Sequence, residues 1–349
     1  MLRACLAFLL LSFPALADAP KVAADIAPVH ALVARVMQGI GAPELIVAAN
    51  ASPHGYALRP SQARALQEAD LVVWIGPDLT PWLEKPLRNL AAEAEVVTLL
   101  DAPETQVLAY RGGPDHDHGD HGDHGDHGDH GDHGDHAHES GGHDHGAADR
   151  DHGVGAHESG EEGHDQGSAG HDHGVDAGGV DPHAWLDPEN ARRWLALIAE
   201  RLAAADPGNA AGYRANAAEG IAELEALEAR IAARLAPLAA VPFVTFHDAY
   251  QYFETRFGLS FAGSVALGDA TDPGPARLAD LQREMQERGV RCAFREPQFD
   301  DRRLRALTGN GGLTVAELDP MGSMLTPGPD LYPALLWQMA EAFAACLGS

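Results

Sequence analysis

The sequence of 349 residues is poor in cysteine, in aromatic residues and in positive charge. It contains three cysteines, 6% aromatic residues, and 24 lysines and arginines against 52 aspartates and glutamates, for a formal net charge of -28 at pH 7. The phosphates of nucleic acids would repel such a chain, so nucleic acids are excluded as partners and cations are favoured. Beyond the N-terminus, no uncharged apolar run reaches the roughly 18 residues that a membrane span requires, so we expect no membrane insertion.

The first residues have the layout of a secretory signal peptide. Arg3 precedes an apolar run from Leu6 to Phe13, and small residues ending at Ala17 form a cleavage site. Residues 1–17 are therefore predicted to be removed, which predicts a secreted and soluble mature protein. A buried N-terminal helix is the alternative.

Two cysteines, Cys292 and Cys346, remain after that cleavage. In an oxidising compartment such a pair is expected to form a disulfide, which would join the segment around Cys292 to the C-terminal helix. Two unpaired buried thiols are the alternative, because spacing alone does not determine their geometry.

Two stretches of the chain alternate short apolar runs with helical patterns, which predicts parallel β-α units. In the first stretch, predicted strands at 44–49, 71–76 and 95–100 are separated by predicted helices at 60–69 and 80–90. The second stretch has predicted strands at 241–246, 259–267, 290–294 and 313–318 and predicted helices at 275–289, 300–309 and 331–346.

Two helical patterns, at 188–207 and 209–238, lie between these stretches. A helix over the second pattern would be about 45 Å long, more than one lobe needs. A coiled-coil partner is the alternative, but few heptads are available, so a rigid connector is favoured. We therefore predict two α/β lobes with parallel sheets joined by a long helix, with a metal site in the cleft between them. The predicted boundaries are an N-terminal lobe at 18–207, a linking helix at 208–238 and a C-terminal lobe at 239–349.

The segment from Gly112 to Val180 differs in kind from the rest of the chain. It contains 16 of the 20 histidines, and Gly-Asp-His occurs six times in succession from Gly119 to His136. With almost no large apolar side chains it is predicted to be a disordered loop within the N-terminal lobe. We hypothesise that the loop collects zinc near the cleft and passes it inward, or senses the abundance of zinc; a solvated spacer is the alternative.

Outside this loop four histidines remain, and three of them are candidate metal ligands. His54 and His247 follow predicted strands, and His183 lies beside a proline where the loop ends. Ligands bind beyond the carboxyl ends of strands in open α/β sheets, and three histidines leave zinc one open position. Asp319, which follows the strand at 313–318, is a candidate for that position, whereas His30 on a helical stretch is interpreted as a surface or packing residue.

Six segments, spread over almost the whole mature chain, resemble a known family. They read SPHGYALRPSQ (52–62), ADLVVWIGPDLTPWLEK (69–85), DPHAWLDPENA (181–191), TFHDAYQYF (245–253), REPQF (295–299) and LDPMG (318–322). In this order they resemble the zinc-binding subunits of bacterial ABC transporters, the ZnuA-type members of the cluster A-I solute-binding proteins. The acidic histidine loop is similar to the one in zinc-specific members.

The resemblance implies a function and a set of ligands. It implies a periplasmic protein, expected to be a monomer, that captures Zn²⁺ as its transported ligand and delivers it to a membrane permease. It also implies that His54, His183 and His247 are the ligands, and that Asp319 is at the position of a carboxylate ligand in manganese and iron relatives. Manganese relatives carry a carboxylate at the position of His247, and imidazole suits zinc better, although nickel and copper also accept it. The cysteine pair resembles a disulfide seen in some zinc members.

Two other functions are alternatives at this point. A zinc hydrolase could use three histidines and an activated water. No HExxH helix is present, and Glu296 in REPQF, the best candidate for a general base, is better interpreted as orienting a ligand or fixing the second lobe. A periplasmic zinc buffer or chaperone without a transporter is the other alternative.

Overall fold

The computed structural model describes residues 19–111, 179–266, 274–298, 304, 307 and 313–349. The predicted signal peptide, all but the last two residues of the His/Asp-rich segment and most of the predicted helix at 300–309 lie outside the described residues. Among the described helices, none combines the length and the apolar character needed to cross a bilayer.

The first lobe contains a four-stranded sheet in which every pair of strands is parallel. Its strands are β1 (Val22–Ala24), β2 (Glu44–Leu45), β3 (Leu71–Trp74) and β4 (Glu95–Thr98), in the spatial order β2-β1-β3-β4. The helices of this lobe are α1 (Ala27–Val36), α2 (Pro60–Glu68) and α3 (Glu84–Leu90). Both α1 and α2 begin with a proline in the first turn, where the missing N–H costs no helical bond. The central strand β3 is buried along its whole length, as expected for a sheet covered on both faces.

The second lobe repeats this arrangement after a long connection. Its strands are β7 (Phe243–His247), β8 (Phe261–Ala266), β9 (Cys292–Arg295) and β10 (Thr314–Glu317), all parallel, in the order β10-β9-β7-β8. Its described helices are α6 (Gln251–Phe257), α7 (Pro275–Arg288) and α8 (Leu331–Leu347). Helix α7 packs closely on β8 at Gly263, where a Cβ would lie 2.6 Å from the side chain of Leu281. A larger residue at this position would require that side chain to move, and it would also be strained by the positive φ of 152°.

Two long helices connect the lobes. Helix α4 (Pro188–Ala205) packs along α5 (Ala210–Leu235), which has 26 residues and is therefore roughly 39 Å long. Helix α5 also packs on α1 of the first lobe and on α8 of the second. A single cluster of buried apolar residues runs through both lobes, with Val22 at one end of the chain and Leu347 at the other. The two sheets are thus attached to a shared core, and the predicted α/β fold of two lobes with a long helix is confirmed.

The predicted disulfide is present. Cys292 at the start of β9 is bonded to Cys346 near the end of α8, with the two Cα atoms 5.7 Å apart. It closes a loop between residues 54 positions apart and attaches the C-terminal helix to the sheet of the second lobe.

Two features of the first lobe differ from the sequence prediction. The run predicted as a strand at 44–49 forms only a two-residue strand, although the N–H groups of Ile46 and Val47 still donate to the carbonyl oxygens of Ala24 and Asp25. A second, two-stranded sheet was not predicted at all. It is formed by β5 (Leu108–Ala109) and β6 (Val180–Asp181), which are too short to show a periodic pattern.

Candidate metal centre

The structure brings together the three histidines that the sequence singled out. His54 lies in the loop between β2 and α2, His183 lies two residues after β6, and His247 is the last residue of β7. One ring nitrogen from each of them lies within 4.8 Å of the other two. His183 and His247 are buried, and His54 is partly exposed. Ligand atoms therefore converge from three distant parts of the chain.

The space between the three rings fits a single small ion. The ring centroids of His183 and His247 are 4.9 Å apart, and each lies 5.6 Å from the centroid of His54. The cavity that they enclose has a volume of about 20 Å³, enough for one water-sized occupant. Around a tetrahedral zinc ion the nitrogens would lie roughly 3.3 Å from each other, so small side-chain movements would complete the site. The described residues that line the cavity are Ser52, Pro53, His54, His183, Trp185, His247, Glu296, Gln298, Pro320 and Met321.

A buried carboxylate orients His183. Asp181 Oδ1 lies 2.7 Å from His183 Nδ1 and also accepts the backbone N–H of His183 at 3.0 Å. Because a carboxylate only accepts, Nδ1 carries the proton and Nε2 carries the lone pair, which is the tautomer that a metal ligand needs. The sequence analysis missed this role of Asp181, although an acidic residue two positions before a histidine could have indicated it.

A second buried carboxylate lies behind His247. Glu296, which directly follows β9, is 2% exposed, and its Oε1 lies 3.4 Å from His247 Nδ1. Burial, followed by the negative charge of Glu296, raises the pKa of neighbouring Tyr250 well above its ordinary value, so Tyr250 remains a neutral phenol. Glu296 thus contacts one of the candidate ligands rather than standing alone as a general base.

The loop that carries His54 is attached to the first lobe by side chains of α2 and of the turn before α3. The indole N–H of Trp82 donates to the carbonyl oxygen of Pro53 at 2.7 Å. Gln62 donates to the hydroxyl of Tyr56 at 2.8 Å and accepts the backbone N–H of Arg59 at 2.8 Å. The loop is therefore held by hydrogen bonds at Pro53, just before His54, and at Tyr56, just after it.

Asp319 lies beside the cavity but uses its carboxylate for a turn. Its Oδ1 accepts from the side chain of Gln298 and from the N–H of Met321, both at 3.1 Å. Its Oδ2 accepts the backbone N–H and the hydroxyl of Ser323 at 2.6 and 2.8 Å. Asp319 is not a member of the group of ligand atoms formed by the three histidines, whereas Pro320 and Met321 line the cavity. Its part as a fourth ligand stays a prediction, with water as the alternative ligand at that position.

His30 is placed apart from this centre. It is buried on α1, and its Nε2 lies 3.1 Å from the carbonyl oxygen of Pro43. Burial lowers its pKa, against an opposing effect of that carbonyl group, so the neutral form is favoured. Its contacts are those of a packing residue.

A family model that matches most of the chain identifies the family. The model of the family described as "Zinc-uptake complex component A periplasmic", ZnuA, matches residues 22–346. This chain belongs to the ZnuA family. The match includes both lobes and all three histidines of the centre.

Named relatives of this ZnuA-family chain come from several bacteria. The "High-affinity zinc uptake system protein ZnuA" of Paracoccus denitrificans is 45% identical over 339 residues, which are 97% of this chain and 95% of the relative. The protein of the same name from Haemophilus influenzae is 38% identical over 97% of this chain and 96% of its own length.

Two solved structures share the fold. A crystal structure of ZnuA has a TM-score of 0.68 at 22% identity and covers 94% of this chain and 99% of its own. The solute-binding protein FpvC of Pseudomonas aeruginosa, solved with Mn²⁺, has a TM-score of 0.69 at 18% identity, over 95% of this chain and 99% of its own. At these identities the likeness shows the arrangement of the two lobes.

Proposed function

We propose that this protein is a periplasmic zinc-binding protein that captures Zn²⁺ and delivers it to the permease of an ABC transporter. The observation that carries the proposal is the meeting of three imidazoles, from three distant parts of the chain, within 4.8 Å of one another. Membership of the ZnuA family and the names of the relatives support zinc uptake as the purpose of this centre.

The ligand set favours zinc over harder cations. Three imidazoles with no carboxylate in the group suit zinc, nickel and copper, whereas manganese and magnesium prefer oxygen ligands. His183 and His247 each face a buried carboxylate through Nδ1, which increases the basicity of the ligating nitrogen. Three protein ligands leave a fourth position open, through which the ion can be exchanged.

A transported ion, rather than an activated water, also fits the surroundings of the centre. The cavity has room for about one small occupant, and Glu296 contacts His247 instead of facing an open substrate cleft. We therefore propose a binding protein and not a hydrolase, acting as a monomer. Its proposed route to the periplasm is the signal peptide at residues 1–17.

Titration of the His247→Ala variant tests the assignment of the centre. Wild-type protein should bind one zinc ion more tightly than any other, so that a competing chelator of known affinity removes the weakly bound ions first and this ion last. It should bind Mn²⁺ far more weakly. The variant should lose this tight equivalent, because only two of the three imidazoles would remain to hold the ion. Calorimetry in the presence of the chelator measures both affinities.

The matched control separates the centre from the 16 histidines of the 112–180 segment. A chain without residues 115–176 should keep the one tight equivalent and lose only weaker ones. If this shortened chain folds and holds no tight zinc, the centre does not bind zinc as proposed. Growth under zinc limitation, with and without the His247→Ala allele, then tests delivery to a transporter.

A further inference from the structure

The described residues on either side of the His/Asp-rich segment pair with each other. Strands β5 and β6 are antiparallel, with Leu108 opposite Asp181, and a further backbone bond of 3.0 Å joins Tyr110 to Gly179. We call residues 108–111 and 179–181 the stem. The chain therefore enters and leaves the His/Asp-rich segment at the stem.

The stem is directly connected to one candidate ligand. Asp181, in the second strand of the stem, holds both the backbone N–H and Nδ1 of His183 through its Oδ1. With the amide of Gln251 oriented to satisfy its neighbours, its Nε2 donates to Asp181 Oδ2 at 3.1 Å and to the carbonyl oxygen of Ala109 at 3.2 Å. Movement of the stem would therefore move the ring of His183.

The stem also rests on the helix that follows the other buried ligand. Helix α6 begins at Gln251, four residues after His247. The hydroxyl of Tyr252 donates to the carbonyl oxygen of Asp181 at 2.7 Å and accepts the N–H of Leu108 at 2.9 Å. One phenol thus bonds to both strands of the stem.

Arg111 adds a charged contact at the end of the stem. Its guanidinium contacts Asp248 at 2.5 Å and Glu254 at 2.7 Å, and lies 3.7 Å above the ring of Phe261. Both carboxylates are almost fully buried, and Asp248 is the residue directly after His247. As anions, buried carboxylates of this kind need a paired cation, since removal of that partner leaves an uncompensated charge in the interior. Burial raises the pKa of Glu254 to about 7 even against the opposing effect of Arg111.

We propose that Arg111 is a positioning residue of the metal centre, which docks the stem on the second lobe and thereby fixes His183 and His247 relative to each other. The inference rests on the proposed zinc-binding function. The stem and the two buried ligands, His183 and His247, are then connected through one set of contacts. These contacts are those of Arg111 with Asp248, of the stem with Tyr252, and of Asp181 with His183.

Zinc release and cobalt absorption of Arg111 variants test the proposal in the full-length protein. The Arg111→Gln variant, loaded with one equivalent of zinc, should release it into excess chelator about 10–100 times faster in the slowest phase, if the 10–100-fold loss of metal affinity that follows removal of ligand-orienting groups arises from faster release. Its Co²⁺ form should show shifted d–d bands, because two ligands change their relative orientation. The conservative Arg111→Lys variant should restore part of the slow release.

Two further variants separate the loss of positioning from general destabilisation of the fold. The triple variant Arg111→Gln/Asp248→Asn/Glu254→Gln replaces both carboxylates by neutral amides while leaving the stem without its charged contact to the second lobe, so it should fold and still release zinc fast. The Arg230→Gln variant is the control, because Arg230 stacks on Trp337 at 4.4 Å and contacts no part of the stem. Wild-type release rates and cobalt spectra in both Arg111→Gln variants would overturn the proposal. A wild-type protein without any tightly held zinc would instead overturn the proposed function.

Discussion

Asp319 is a residue for which two roles can be separated by experiment. Its carboxylate accepts three hydrogen bonds from the turn that ends at Ser323 and a fourth from the side chain of Gln298. The turn also places Met321 in the wall of the cavity. A carboxylate with four donors has little basis for leaving them to coordinate an ion, because each abandoned donor would then need another partner. We therefore expect Asp319 to organise the turn and water to complete the zinc shell.

The Asp319→Asn substitution tests this assignment. The amide cannot accept from all the donors around it, so we expect the free energy of unfolding to fall by about 1–3 kcal/mol. Zinc affinity should change by less than about tenfold, equivalent to 1.4 kcal/mol, because no ligand is removed. Denaturant unfolding and chelator competition measure the two effects. A large loss of affinity with unchanged stability would instead identify Asp319 as the fourth ligand.

Asp25 is a buried acid whose titration should be visible in the stability of the protein. It follows β1, and its two oxygens accept the N–H groups of Ile26 and Ile75, each at 2.8 Å. Burial raises its pKa from 3.8 to about 7, against the opposing effect of these hydrogen bonds. The folded state therefore binds a proton that the unfolded state has already released over this range.

The sign of the pH dependence follows from this difference. The contribution of neutral Asp25 is fully present below about pH 4 and is lost as pH rises towards about 7, by an amount on the order of a few kcal/mol. Asn at this position does not titrate, so the difference in unfolding free energy between wild type and Asp25→Asn should shift against wild type as pH rises. Urea unfolding of both metal-free proteins across this range measures the difference. A difference that does not vary with pH would show that Asp25 is ionised throughout.

At the scale of elements, long periodic segments were predictable and short ones were not. The predicted helix at 188–207 corresponds to Pro188–Ala205, because its apolar side chains repeat with helical spacing over five turns. The stem strands β5 and β6 have two residues each and are held by Tyr252 from the other lobe, so no local pattern marks them.

The same distinction applies to the candidate site. His54, His183 and His247 could be predicted because each lies in a turn after a strand or beside a proline, and few histidines lie outside the 112–180 segment. The carboxylate of Glu296 lies behind His247 only because β9 and β7 are neighbours, a pairing that depends on tertiary structure. Arg111 was missed for the same reason, since its partners lie 137 and 143 residues later in the chain.

The disulfide should stabilise the second lobe without affecting the metal centre. Cys292 pairs in register with Phe243 at the start of β7, whereas His247 is at the opposite end of that strand. Replacement of both cysteines by serine should lower the free energy of unfolding by roughly 2–4 kcal/mol, because the unfolded chain regains the freedom of a long loop. Zinc affinity should stay within about threefold of wild type, so the binding free energy should change by well under 1.4 kcal/mol, the equivalent of a tenfold change.

Thermal unfolding and chelator competition on the double serine variant, with reduced wild-type protein as its control, check both expectations. If the double serine variant is fully folded and still loses much of its zinc affinity, the two ends of the β7 strand are coupled.

At the scale of the whole molecule, the contacts between the lobes restrict how far they can move when zinc binds. The indole N–H of Trp185 donates to the carbonyl oxygen of Pro320 at 2.9 Å, and the hydroxyl of Tyr332 donates to the carbonyl oxygen of Trp185 at 2.6 Å. These bonds cross between the lobes next to the cavity, while α5 packs on helices of both lobes. Wide hinge opening would break this polar pair and divide a continuous apolar core.

We therefore expect zinc to close the centre by small side-chain movements and slight tilting of the lobes. Nitroxide labels at Arg64 on α2 and Glu287 on α7, both exposed, report the separation of the lobes by pulsed electron resonance. The mean distance should change by less than about 2 Å on zinc addition, the scale of pre-organised binding. A label pair at Arg64 and Arg88, both in the first lobe, gives the control for label motion. A second, longer distance between the labels at Arg64 and Glu287 in the metal-free protein would mean that the shared core opens, and that α5 acts as a hinge rather than as a rigid connector.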